Sequence, residues 1–65
     1  MNYSLKELVQ KVQDVNTMSF EAVADSIGYT RELLLKKIGD DDNNETIDLL
    51  FMKHPNSLRG MRDTK

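Results

Sequence analysis

Apolar residues in this chain recur at three- and four-residue intervals in four separate blocks, and nowhere do they alternate in the period of two that marks a half-buried strand. That spacing predicts helices. Ser4-Leu5-Lys6-Glu7 has the form of a capping box, in which the serine oxygen and the glutamate carboxylate satisfy backbone donors at a helix start. Leu5, Leu8, Val9 and Val12 then form one apolar stripe, and Tyr3 can staple against Leu8. Asn16-Thr17 breaks the pattern. Ser19 offers a second N-cap, with Met18 and Val23 placed as its staple, and a helix is expected over residues 20–27 with Phe20, Val23, Ala24 and Ile27 inward. Gly28 supplies the left-handed residue that ends a helix tightly. Thr30 is a third N-cap, before a helix whose apolar face is Leu34, Leu35 and Ile38 and which stops at Gly39.

The polar, acidic run 40–44 reads as an exposed loop, and either Asp42 (with Glu45 three residues on) or Asn44 can cap a fourth helix. Ile47, Leu50 and Phe51 give that helix its apolar face, with Leu49 and Met52 widening it, and Pro55 ends it beyond His54. The fold class expected is all-α: a small three- to four-helix bundle over residues 1–55. Residues 56–65 read as a mobile basic tail anchored only by Leu58 and Met61.

With 65 residues the chain can build a single thin core, and without cysteine no disulfide or thiolate metal site can staple it. No apolar run approaches the roughly 20 residues of a membrane span, and the N-terminus lacks the basic and apolar regions of a signal peptide. A cytoplasmic protein is expected. The net charge of −2 is segmental: residues 1–39 carry five basic and five acidic side chains, 40–48 five acids alone, and 49–65 four bases against one acid. A dedicated DNA-binding domain usually shows a basic excess, so this balance counts against nucleic acid while leaving room for a local basic face.

Residues 20–38 read FEAVADSIGYTRELLLKKI. Ala24 and Gly28 stand four positions apart, with Val23, Ile27, Tyr29 and Leu34 around them, and in this the segment resembles a helix-turn-helix. The pattern of that family wants a small residue where two helices cross closely and a glycine where the chain reverses. More narrowly, Gly28-Tyr29-Thr30-Arg31 followed by Leu34, Leu35 and Ile38 is similar to the second helix of the AraC-type half-motif. The resemblance covers 19 of the 65 residues. It implies that the helix from Thr30 enters a major groove, with Thr30, Arg31 and Glu32 reading base edges while Lys36, Lys37, Arg59, Arg62 and Lys65 meet phosphates. Lys36 and Lys37 equally suit the negative end of their own helix dipole. Leu33-Leu34-Leu35 departs from the pattern, because one narrow stripe cannot bury three consecutive residues. Leu33 is the one expected to be exposed or to face a partner.

Other constellations fail on chemistry. Asp40, Asp42 and Asn44 match the first three places of a calcium loop, but Glu45 stands where that loop needs glycine and Phe51 where it needs a bidentate glutamate. His54 is the sole histidine and makes a poor metal site without cysteine. No serine sits in a nucleophile elbow, and no glycine loop is shaped for phosphate. No enzyme, cofactor or small-molecule substrate is expected.

Two functions remain. The first is a DNA-binding regulator acting as a homodimer, with Ile47, Leu50, Phe51 and Met52 as the dimer seam. The second is a protein-binding module, of the kind found among phage and mobile-element accessory proteins, that docks through the Leu33–Leu35 ridge and the acidic loop to inhibit or retarget a protein.

Overall fold

A computed structural model of the chain describes residues 3–61. Among these residues four helices and no strand form: α1 (Leu5–Asn16), α2 (Phe20–Ser26), α3 (Arg31–Gly39) and α4 (Asn44–Lys53). None is long and apolar enough to cross a membrane.

Side-chain caps set three of the four helix starts. Ser4 Oγ accepts from the Glu7 amide at 3.2 Å and Glu7 Oε1 accepts from the Ser4 amide at 2.8 Å, which completes the capping box of α1. Ser19 Oγ accepts from the Ala22 amide, and Thr30 Oγ1 from the Leu33 amide, both at 3.1 Å. The fourth start differs from expectation. Asn43, rather than Asp42 or Asn44, holds the cap position of α4, and it makes no side-chain cap bond there. Its side-chain Nδ2 instead donates backward to the carbonyls of Lys37 at 3.3 Å and Asp40 at 3.1 Å. The Lys37 carbonyl, which also accepts from the Asp40 N–H at 3.1 Å, is thus held twice, and one asparagine ties the end of α3 to the start of the next helix.

Helix α1 is the hub. It buries Leu5, Leu8, Val9 and Val12, and it packs on α2, α3 and α4, while α2 and α3 pack on each other. The remaining core is Val23, Ala24, Ile27, Leu34, Leu50 and Leu58. Ala24 is fully buried where α2 meets its neighbours, so a small side chain there is a packing requirement.

Two expectations are corrected. Leu50 is not a surface seam residue. It lies four positions after the fully buried Thr46 on the stripe that α4 turns inward, and its own exposure is 0%. The tail expected to be mobile from Asn56 is packed through residue 61. Ser57 and Leu58 are buried, and turns are closed by Leu58 N donating to His54 O at 3.2 Å and Met61 N to Leu58 O at 3.1 Å. Asn16 Nδ2 donates to Ser57 Oγ at 2.8 Å as well as to Val12 O at 3.0 Å, so the end of α1 pins this segment. Arg62 and Lys65 lie outside the described residues.

Candidate functional site

The connection between α2 and α3 is short because its backbone closes on itself. Gly28, at φ +77°, donates to Asp25 O at 3.0 Å, and Tyr29 N donates to Ala24 O at 2.9 Å. These are the two bonds of a Schellman motif. A Cβ at Gly28 would meet nothing within 4 Å, so glycine is needed for the left-handed backbone and not for space.

Both ends of α3 are thereby fixed. At its start Thr30 caps the helix, and the neighbouring Tyr29 hydroxyl lies 2.8 Å from Thr46 Oγ1 on α4. At its end the Asn43 side-chain amide holds the Lys37 and Asp40 carbonyls. The helix between is attached to the bundle along one narrow line. Leu34 is its one fully buried side chain, and Lys37 and Ile38 are half-buried beside it. At 100° per residue, Leu33 and Leu35 fall on the two flanks of Leu34, and Glu32 and Lys36 share the outward pole. The exposures agree: Leu33 is 37% and Leu35 47% exposed, and Arg31, Glu32 and Lys36 are exposed as well. Leu35, expected on the inward face, is therefore a surface residue. The run of three leucines carried that signal, since only its middle member can point at the core.

The outward arc of α3 thus presents Arg31, Glu32, Leu33, Leu35 and Lys36 from a helix anchored at both termini. Three cations, Arg31, Lys36 and Lys37, stand against one anion, Glu32, so α3 carries +2. Counted the same way, α1 is neutral, α2 is −2 and α4 is −1, which leaves α3 as the one positively charged helix of the four. Thr30 Oγ1 is engaged as an acceptor by the Leu33 amide, so toward a ligand its hydroxyl can still donate. Arg59 is exposed on the C-terminal turns, away from α3 in sequence and held by a different segment.

The other expected interface residues divide between environments. Met52 is 68% exposed, Ile47 and Phe51 are half-buried, and Leu50 is in the core. They do not form one continuous apolar seam.

One pairing was not legible from the sequence. Ser26 Oγ lies 2.8 Å from His54 Nε2. The serine proton is committed to Val23 O at 2.6 Å, so the histidine is the donor toward Ser26 and does not activate it as a nucleophile. Burial holds the His54 pKa below its ordinary value. Among the described residues no group of three or more histidine, aspartate or glutamate side chains is arranged to hold a metal ion. Compared with known proteins, the chain matches no protein family, no curated protein and no solved structure.

Proposed function

We propose that α2 and α3 form a helix-turn-helix and that the protein is a small DNA-binding regulator, with the outward arc of α3 entering the major groove. The observation that carries this reading is the net charge of +2 on α3, the single positive helix, of which Arg31 and Lys36 against Glu32 leave +1 on the outward arc that no other element covers. Arg31 sits in the first turn, where a groove-binding helix reaches base edges and where a guanidinium can take guanine O6 and N7 together. Glu32 can accept from cytosine, and exposed Leu35 offers an apolar contact for a thymine methyl. Lys36 and Lys37 supply phosphate contacts. The homodimer belongs to the same reading, with Met52 the exposed member left of the expected Ile47, Leu50, Phe51 and Met52 seam, as does a cytoplasmic location. The acidic residues 40–42 follow α3 directly and repel phosphate, so they tell against this reading wherever they face the duplex.

A second reading has its own support. Leu33 and Leu35 are exposed on either flank of the Glu32/Lys36 pole, and a face of two leucines around a neutral charge pair suits a protein partner. Fluorescence anisotropy with a labelled mixed-sequence duplex separates the two. Under the DNA reading, binding appears at about micromolar protein in low salt. Affinity then falls with a log–log salt slope of about −2 for the two phosphate contacts of Lys36 and Lys37. Arg31→Ala with Lys36→Ala reduces that slope by about 1 through the lost lysine contact, removes the guanine contact of Arg31 and abolishes binding near physiological salt, while Leu33→Asp leaves binding intact. Duplex binding unchanged in the double variant refutes the groove assignment. If no duplex binds and Leu33→Asp abolishes capture of a protein partner, α3 serves the second reading.

A further inference from the structure

The bundle carries a second concave surface that shares no residue with the outward arc of α3. It is a groove of about 640 Å³ bounded by the start of α1, the end of α3, the start of α4 and the last described residue, Met61. Its floor includes Ile38, Ile47, Phe51 and Met61, all packed against the core on one side and incompletely covered on the other. Its edge includes the carboxylates of Asp40 and Asp41, and no lysine or arginine is present among the described residues that line it. The volume lies in the range of formed ligand sites, about 300–1,000 Å³.

The two halves of this surface make different demands. Half-buried apolar side chains favour an occupant that removes their remaining surface from water. Carboxylates at the edge penalise one that strips their hydration without replacing it, which disfavours a purely apolar ligand, and they repel a phosphate backbone. We propose that the groove docks a short basic amphipathic segment of a partner protein, with apolar side chains one helical turn apart seated on Ile38, Ile47 and Phe51 and flanking lysines or arginines meeting Asp40 and Asp41. A helix laid in a groove uses this division of labour, apolar anchors for affinity and rim charges for register and choice of partner. The surface is independent of DNA binding by α3, and either can hold without the other.

The test is an amide chemical-shift titration of the full-length, isotope-labelled chain with a synthetic amphipathic helix of leucine and lysine. Saturable shifts are expected at Asp40, Asn43, Ile47 and Phe51, with the Glu32–Lys36 arc unmoved. Asp40→Asn with Asp41→Asn, whose fold is checked by its thermal melt, is expected to weaken binding by about ten-fold or more, equivalent to about 1.4 kcal/mol. High salt acting on the unsubstituted chain gives the same loss without any substitution. A lysine peptide lacking leucine, and a leucine–glutamate peptide, are expected to leave the groove resonances unchanged. The proposal is overturned if the double variant binds equally well, if the lysine-only peptide shifts the same residues, or if the perturbations map to the Arg31–Lys36 arc instead of the groove. It is also overturned if the groove resonances move with protein concentration alone, since a second copy of this chain is then the occupant.

Discussion

Ser26 and His54 are joined across the bundle, Oγ to Nε2 at 2.8 Å, although 28 positions separate them. Ser26 also donates to Val23 O, so His54 must carry a proton on Nε2, which both its neutral tautomer and its imidazolium form provide. Protonation therefore keeps the bond, and what opposes it is burial, which holds the pKa in the folded state below the ordinary 6.5. The unfolded chain takes up this proton first as pH falls. His54 thus contributes its full stability above about pH 6.5 and loses it progressively down to its folded pKa. Urea midpoints measured from pH 8 to pH 5 are expected to fall more steeply for the unsubstituted protein than for His54→Gln. Parallel profiles would show that His54 is as well solvated in the fold as out of it.

The Tyr29 hydroxyl and the fully buried Thr46 hydroxyl, 2.8 Å apart, hold the entry to α3 against α4. Tyr29→Phe strands a buried hydroxyl and is expected to cost about 1–3 kcal/mol. Thr46→Val costs less, because the half-buried Tyr29 hydroxyl can turn toward water. The double variant is expected to be clearly less destabilised than the sum of the two, as a double-mutant cycle from denaturant unfolding will show.

Leu50 and Met52 stand two residues apart on α4 in opposite environments, 0% and 68% exposed. Leu50→Ala is expected to cost about 2–5 kcal/mol, much of the stability of a domain this small. Met52→Ala should change it by no more than about 0.5 kcal/mol. Thermal melts of the two variants decide which residue belongs to the core.

The helices were legible where their determinants are local. Ser4 with Glu7, Ser19, Gly28 and Thr30 each act within three to five residues of themselves, so pattern alone places them. Leu50 lies on the apolar face expected of α4 but too deep for a surface seam, and Leu35 lies outside the inward face expected of α3, because both stripes are wide and the neighbouring helix decides which member turns inward. Asn43 escaped notice for a related reason, since its side-chain amide serves the helix it follows and not the one it caps. The exposed arc of α3 was legible at Arg31, Glu32, Leu33 and Lys36, while Lys37 is half-buried and Leu35, expected inward, is exposed. Nothing in the sequence foretold the groove, whose walls come from residues as distant as Leu5, Ile38 and Met61.

Thr17 closes α1 at φ 54° and ψ 50°, the one non-glycine residue with positive φ among those described. A β-branched side chain there costs about 1–2 kcal/mol, part of which glycine would return as unfolded-state entropy. Thr17→Gly is expected to stabilise the protein by about 0.5–1 kcal/mol, read as a raised denaturant midpoint at unchanged slope.

Asn16 reaches Ser57 over 41 positions, and Leu58 takes its place in the cluster that holds Val12. The contacts among α1, α2 and α3 span shorter stretches of chain and can form early. Their inner surface is sealed only when residues 57 and 58 arrive. During synthesis the nascent bundle therefore holds part of its interior open to water until residues 57 and 58 have left the ribosome, so α1 waits on a segment some forty positions downstream for its last cover.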